Sequence, residues 1–370
     1  MKIPVYLTGI GVASPFGNTP VSFWSALFGP ARAADTSAVT VAGKARNVTA
    51  YITAPDDFQR SVQEYFIVLC THAISQAMAE DGGPFSPDRT CILIGSGMGA
   101  ADALLENSYL SPDFQTKVIH RICSCLGTKM PLQFLSNACC AGAQAIAYGF
   151  DLIRNGYCDR VIAGGAEAFS YLVYSGFQRL CSLDPQGCRP FHPDRKGIGV
   201  GDGAAFFVLS RDKSRRVYGQ IRGCAVTNDA YHIVTPEPQG RQARRAIRLA
   251  LKEAELSPPS IDAVVAHGTG TRQNDRIEAR LLYEVFGPVA LTAPKGRIGH
   301  TGGASGAFNL LSALGMLRRQ RLPDSSRWLM EEDEPQVLLE DKVQQKTLRN
   351  ILMNCFAFGG TNVVMVCAGA

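Results

Sequence analysis

Short apolar runs that stop at glycines, each handing over to a helical stretch, occur twice in the same order along this chain. In the first half VYLTGIGV (5–12), CILIGSG (91–97), LQFLSNAC (132–139), RVIAGGAEA (160–168) and AAFFVLS (204–210) read as strands, and the third enters the helical segment AGAQAIAYGFDLIRNG. The second half repeats the layout. VYGQIRGCAV (217–226) and IDAVVAHGTGT (261–271) are strands, RQARRAIRLALKEAEL (241–256) is a helix, GHTGGASGAFNLLSALGML (299–317) enters a small-residue helix, and NILMNCFAFGG (350–360) and TNVVMVCAG (361–369) close in strands. Within 241–256, Ala243, Ile247, Ala250, Leu251 and Ala254 share one face, with the arginines and Lys252 elsewhere. Such strand–helix alternation argues an α/β fold with buried sheets. No low-complexity linker parts the halves, so they are expected to pack tightly around a site between them.

Composition narrows the function. The 370 residues carry a net charge of +5. No basic stripe has interleaved aromatics, which argues against a nucleic-acid binder; the charge suits an acidic protein partner. No apolar stretch approaches the length of a membrane span. The N-terminal run, broken by Gly9 and Gly11, reads as a buried strand rather than a signal peptide. The twelve cysteines lack paired zinc-type spacing, so no metal site is expected; they read as reduced thiols of a cytoplasmic protein.

Three segments could carry chemistry. In SNACCAGAQ, Cys139 stands where a strand enters a helix, and the helix N-terminus favours thiolate over thiol. Taken alone, it reads first as a buried structural cysteine. His267 opens the Gly/Thr turn HGTGT after a strand, and His300 lies between glycines in KGRIGHTGGASG; each alone could be a turn residue. His192, in the polar loop RPFHPDR, is expected to be non-catalytic.

Together, NAC with small residues and Gly142, HGTGTRQND, KGRIGHTGGASG and FAFGGTN resemble the signature series of the elongating β-ketoacyl–acyl-carrier-protein synthases. TGIGVASPFG (8–17), GGAEA (164–168), RPFHPDRKGIGVGDGAA (189–205) and TNDAYHIVTPEP (227–238) extend the likeness over essentially the whole chain. The resemblance implies a thiolase fold: duplicated βαβαβαββ halves in a layered α-β-α-β-α architecture, with residues 1–215 carrying the nucleophile and 216–370 both histidines. It implies decarboxylative Claisen condensation of an acyl group on Cys139 with a malonyl thioester. The Ala-Cys-x-x-Gly register selects Cys139, leaving Cys140 as a small packing residue. By resemblance His267 and His300 donate to the enolate oxygen, and Lys295 orients His300. The amides of Cys139 and Phe358 form the oxyanion hole. Phe356, Phe358 and Gly359 belong to the gating segment, and Glu167, Thr269, Thr271, Asp275 and Glu278 to the supporting network. Arg195 is the candidate for carrier-protein docking, with the basic face of 241–256 and Arg318, Arg319 and Arg321 as further candidates.

No permanently bound cofactor is implied, since the phosphopantetheine arm comes with the acyl carrier protein. The family is dimeric, so residues 116–136 are expected to line a contact with an identical chain or a chain-length-factor paralogue. This chain departs from the family in having Ala357 between the two phenylalanines, RPFH in place of RPFD, and a shortened first half around residues 35–65. Two rivals remain. A chain-length-factor-like subunit would have lost the nucleophile and histidines kept here. A thiolase would share GHTGGASG and a cysteine near Cys355, but not HGTGT with Asp275 and Glu278.

Overall fold

Apolar runs covered on both faces need a sheet with helices above and below, and the chain builds one large sheet that does this. The computed structural model describes residues 2–30, 34–41, 44–53, 61–99, 114–213 and 216–370; residues 42–43 and 54–60 of the shortened stretch lie outside them. The first half runs β1 (Val5–Ala13), α1 (Pro20–Leu27), β2 (Asp35–Val41), β3 (Lys44–Tyr51), α2 (Val62–Asp81), β4 (Thr90–Gly95), α3 (Phe114–Leu126), β5 (Leu132–Leu135), α4 (Ala141–Arg154), β6 (Arg160–Glu167), α5 (Tyr171–Arg179), β7 (Val200–Gly201) and β8 (Gly203–Ser210). The second runs β9 (Gly219–Asn228), α6 (Arg241–Ala254), β10 (Ala263–Val265), α7 (Arg272–Phe286), β11 (Ala290–Thr292), the single turn α8 (Lys295–Ile298) and α9 (Ser305–Arg319). It continues through β12 (Arg321–Leu322), β13 (Ser325–Glu331), β14 (Glu334–Glu340), β15 (Gln344–Gln345), β16 (Asn350–Phe356) and β17 (Thr361–Ala368).

Ten strands form one sheet in the order β11-β10-β16-β17-β9-β1-β8-β6-β4-β5. Outward from the seam, where Val5–Leu7 of β1 pairs with Gly219–Ile221 of β9, both halves make the same sequence of pairings. β1–β8 and β8–β6 are antiparallel, and β6–β4 and β4–β5 parallel. β9–β17 and β17–β16 are antiparallel, and β16–β10 and β10–β11 parallel. The duplication read from the sequence is therefore a duplication of topology.

The layers follow from which helices are apolar all round. Every residue of α9 from Ser305 to Leu317 is buried, the mark of a helix enclosed on all sides. It packs on α4, and each of the two touches strands of both halves. Helices α2 and α3 cover the outer face of the first half, and α6 and α7 that of the second, each over its own apolar cluster. The result is the expected α-β-α-β-α stack. Glycines let the middle layer close: a Cβ on Gly142 would lie 2.7 Å from the Gly303 carbonyl, and one on Gly303 2.3 Å from the Gly97 nitrogen. On α6 the buried face is the one read from the sequence, with Ala246 added.

Two local readings change. LQFLSNAC is not strand to its end: β5 stops at Leu135, and Ala138 takes a left-handed φ of 44°. Strand β11, only three residues long, and the β13–β14 hairpin, which has no glycine and closes the outer side near α7, are not among the strands read from the sequence.

Candidate active site

The parallel strands of both halves deliver their C-terminal ends to one crevice, the usual ligand position in such sheets. At the end of β5 the left-handed Ala138 turns the chain sharply, so that Cys139 stands before α4 with its neighbour Cys140 as the helix cap. Such a conformation is strained for a residue bearing a Cβ and persists only where its surroundings enforce it. Cys140 is buried and its Sγ donates to the Cys355 carbonyl at 3.0 Å, the packing role expected for it.

At the end of β10, two carboxylates of α7 hold the HGTGT turn. Glu278 is fully buried and accepts from the backbone N–H of His267 and of Gly268, both at 2.8 Å, and from the Asn354 side chain at 3.1 Å. Asp275, one turn earlier on the same helical face, accepts from the Thr269 and Gly270 amides at 3.0 and 3.2 Å and from the Phe191 amide at 2.7 Å. Thr271 caps α7, and its hydroxyl lies 2.9 Å from that of Thr269. The turn is thus fixed by its own backbone donors, which leaves the His267 ring free to face the crevice.

Lys295 and His300 follow β11. The Lys295 ammonium, almost fully buried, donates to the His267 carbonyl at 2.7 Å and lies 3.3 Å from His267 Nδ1. The sequence reading has Lys295 orient His300; its hydrogen bonds run to His267 instead, because α8 carries it beneath the end of β10. His300 is set by other groups. Its Nδ1 accepts from the Gly302 amide and faces the Ser305 hydroxyl, each at 3.1 Å. Neither partner of Lys295 or His300 is encoded in a spacing, and Ser305 and Gly302 were missed.

These contacts decide the tautomers. An ammonium and a backbone N–H can only donate, so both Nδ1 atoms accept and each neutral ring carries its proton on Nε2. Burial first, and the Lys295 charge second, push His300 down to about 3 and hold His267 well below its ordinary value. Both rings are neutral donors, 5.9 Å apart between centroids and nearly perpendicular.

Glu167, at the end of β6, ties the halves together. One oxygen accepts from the Ser96 hydroxyl and the Met98 amide at 3.0 and 3.1 Å, the other from the Gly97 and Gly303 amides at 2.7 and 2.6 Å. Burial still raises its carboxyl above the ordinary range.

The last component is the turn between β16 and β17. Phe356 packs 5.6 Å from the His267 ring. The Phe358 amide hydrogen-bonds the Cys139 sulfur, and the Phe358 ring, partly exposed, lies 5.8 Å from Phe177. Gly359 takes a φ of 83° and its amide donates to the Ile233 carbonyl at 2.8 Å. Phe177 sits on α5, in a segment without a recognisable pattern, and was not foreseen.

Two chambers meet at Cys139, His300, Phe177 and Phe358. The outer, about 280 Å³, is lined also by His267, Thr269, Thr271, His232 and Phe356. The inner, about 180 Å³, is mostly apolar and lined by Met98, Phe169, Val173 and Val200 among others. Cys139, His267, His300, Phe356 and Phe358 therefore share one space. Lys295, Glu167, Asp275 and Glu278 act on it through the groups they hold.

Two of the expected residues have surroundings that the sequence does not show. Helix α4 starts two residues past Cys139; desolvation first, then the nearby Cys355, pushes the Cys139 thiol up to about 12 against the pull of Lys295 and the Phe358 amide. Arg195 is engaged by its own chain. Its side chain is 13% exposed, lies 3.5 Å from Asp275, and donates to the His192 and Arg272 carbonyls.

Known proteins match in the same sense. The description "Beta-ketoacyl synthase, N-terminal domain" fits residues 2–215 and "Beta-ketoacyl synthase, C-terminal domain" residues 218–327. A 3-oxoacyl-[acyl-carrier-protein] synthase 2 of Synechocystis sp. is 31% identical over 98% of this chain and 97% of its own. Nodulation protein E of Rhizobium leguminosarum bv. trifolii is 34% identical over 65% of this chain and 62% of its own. Among solved structures, the ishigamide ketosynthase/chain length factor superposes with a TM-score of 0.86 at 26% identity, covering 100% of both chains.

Proposed function

The chain belongs to the β-ketoacyl synthase family, and from that premise we propose how its own residues divide the reaction. It is an acyl-transferring enzyme that forms a carbon–carbon bond in fatty-acid or polyketide synthesis. Its thioester substrates arrive on the phosphopantetheine arm of an acyl carrier protein, and this reaction class needs no resident cofactor. The observation that carries the assignment is the shared space of Cys139 and two neutral histidines whose donor nitrogens are both Nε2.

In the first step the Cys139 sulfur attacks the carrier-bound acyl carbonyl. The amides of Cys139 and Phe358 receive the oxyanion, and the thiol proton leaves with the departing phosphopantetheine sulfur. One such donor is typically worth about 3–4 kcal/mol of barrier. The acyl chain extends into the inner apolar chamber. A malonyl thioester then enters the outer chamber with its thioester oxygen at the Nε2–H groups of His267 and His300. Loss of carbon dioxide leaves an enolate, which those two donors stabilise without a proton transfer. The enolate carbon attacks the Cys139 thioester, the tetrahedral intermediate collapses, and the freed sulfur takes up one proton. Lys295, Glu278 and Asp275 position His267, while Ser305 and Gly302 position His300.

Residues 1–215 and 216–370 are taken as the two functional halves, one bearing the nucleophile and the other the donors. The edge strand β5 and residues 116–136 are the face for a second subunit, identical or chain-length-factor-like. All twelve cysteines are free, which fits a cytoplasmic setting. Purified protein given acyl-carrier and malonyl-carrier thioesters should release carbon dioxide and form a 3-oxoacyl product, with the acyl group trapped on Cys139 in the absence of malonyl donor. No acylation would assign the chain a partner role. Condensation of acetyl-coenzyme A without malonyl donor would make it a thiolase.

A further inference from the structure

Beside the mouth of the outer chamber lies a larger open groove, about 730 Å³, between α6 and α7. Arg244, Arg248 and Arg280 line it against one acidic residue, Glu284. Arg244 pairs with Glu284, and Arg280 lies 3.9 Å from the same carboxylate and donates to the Pro238 carbonyl, so one acid faces three arginines. Arg248 is exposed and makes no ion pair or hydrogen bond among the described residues. The groove thus holds unneutralised positive charge on a rigid two-helix wall.

Its position relative to the mouth gives that charge a use. Thr235 and Pro236 line the chamber mouth and Gln239 lines the groove, so the two are separated by about 10 Å of chain. The strap that leads into the mouth, just before Thr235, exposes apolar side chains: Tyr231 is 55% and Ile233 75% exposed. It is held against the active-site turn by the Gly359 amide on the Ile233 carbonyl. An apolar rim at the mouth beside an arginine groove is the complement of an acidic helix with apolar residues next to a prosthetic arm.

The other basic cluster is built differently. Arg318 and Arg216 lie over the Tyr218 ring and Arg319 over Phe28, so their guanidinium faces are already occupied. Tyr218 stands at the far end of β9 from Asn228, about 30 Å from the crevice along a ten-residue strand.

We propose that the α6–α7 arginine groove and the Tyr231–Val234 rim form the docking surface for an acidic acyl carrier protein. This rests on the reading of the chain as a carrier-dependent synthase. The groove orients the carrier so that its arm enters beside His232 and Thr235. The charge contribution is electrostatic steering, so it acts on the encounter and weakens with salt.

The test compares carrier-borne and carrier-free substrates in the full-length protein. Acylation of Cys139 is measured by intact-mass kinetics with an acyl-carrier thioester and with the matching acyl-N-acetylcysteamine thioester. The Arg244→Glu/Arg248→Glu variant should raise KM for the carrier substrate about tenfold or more and leave the carrier-free rate unchanged. Arg318→Glu/Arg319→Glu should leave both unchanged. Should the double groove variant fail to fold, Arg248→Glu alone, at an exposed position, carries the same comparison. An unaltered carrier KM in the groove variant overturns the proposal, as does a larger effect from the distal pair. It is also overturned if the groove variant loses binding of inorganic pyrophosphate while keeping carrier affinity, which assigns the groove to small anions. Failure of the unaltered protein to accept either thioester sinks the synthase reading instead.

Discussion

At the end of β5 the first half places Cys139; at the end of β11, the matching strand of the second half, stand Lys295 and then His300. The loop after β4 supplies amides to Glu167, whereas the loop after β10 supplies the His267 ring. The ends of β6 and β16, again equivalent, carry Glu167 and the Phe356–Phe358 turn. One topology has been used twice, and the crevice between the copies gathers six strand ends with no residue type repeated at matching positions. The scaffold fixes where a side chain arrives, and the residue placed there decides whether it attacks, donates or holds. Glu167 is one of the groups that bond across the boundary, joining Gly97 and Met98 of one half to Gly303 of the other.

If the halves divide the chemistry, variants in each should fail at different steps. The largest effect falls on the nucleophile. Cys139→Ala should reduce acylation to background, a loss of about 10⁴-fold or more, with no acyl adduct by mass spectrometry. Cys140→Ser, facing the Cys355 carbonyl, should keep the adduct. Because burial sets the Cys139 thiol at about 12, its alkylation by iodoacetamide should climb with pH throughout the range up to 9. A plateau near neutrality would show a thiolate and reverse the burial argument.

His267→Ala and His300→Ala should spare acylation and slow condensation, each by about 10²–10³-fold for a lost donor to a developing oxyanion. Equal loss of both steps in either variant would break the division between halves. The same residues set a pH effect on stability. In the folded protein His300 is lowered to about 3, while in the unfolded chain it protonates near pH 6.5. Below that value the unfolded state binds more protons. The contribution is therefore fully present above about pH 6.5 and falls as pH drops towards 3, by about 1.4 kcal/mol per pH unit. Glu167, Asp275 and Glu278, raised by burial, act with the opposite sign, so the comparison is with His300→Asn. Thermal unfolding of that variant should vary less steeply with acid pH than that of the unaltered protein. Parallel curves would mean that the ring is not held neutral by the fold.

What could be read without coordinates was what sits in short glycine-marked windows. Cys139, His267, Lys295, His300 and Phe358 each occupy such a window, and the Asp275/Glu278 pair is visible as one face of a helix following HGTGT. What could not be read depends on strands brought together from distant sequence. Lys295 reaches His267 because β10 and β11 pair in parallel, and the Cys139 thiol is raised partly by Cys355 from the opposite half. Arg195 lies 3.5 Å from Asp275, eighty positions later, a contact that no spacing encodes. Phe177 lies in a segment without a recognisable pattern, and nothing in it signals the contact with Phe358.

The smallest effect concerns the gate at the meeting of the two chambers. Ala357 donates to the Thr361 carbonyl at 2.9 Å and accepts from the Gly360 amide at 3.0 Å, and its φ lies outside the left-handed region. Its methyl therefore causes no strain in this turn, and a Cβ here narrows the backbone torsions open to any movement of Phe358 away from Phe177. Ala357→Gly should leave the closed state in place and widen the open one, speeding acyl transfer to Cys139 by about two- to fourfold, the range expected from the backbone freedom of one glycine. Single-turnover acylation of the two proteins measures this directly. Identical rates would place the barrier in the contact between the Phe177 and Phe358 rings, and Phe177→Leu would then be the variant that accelerates transfer.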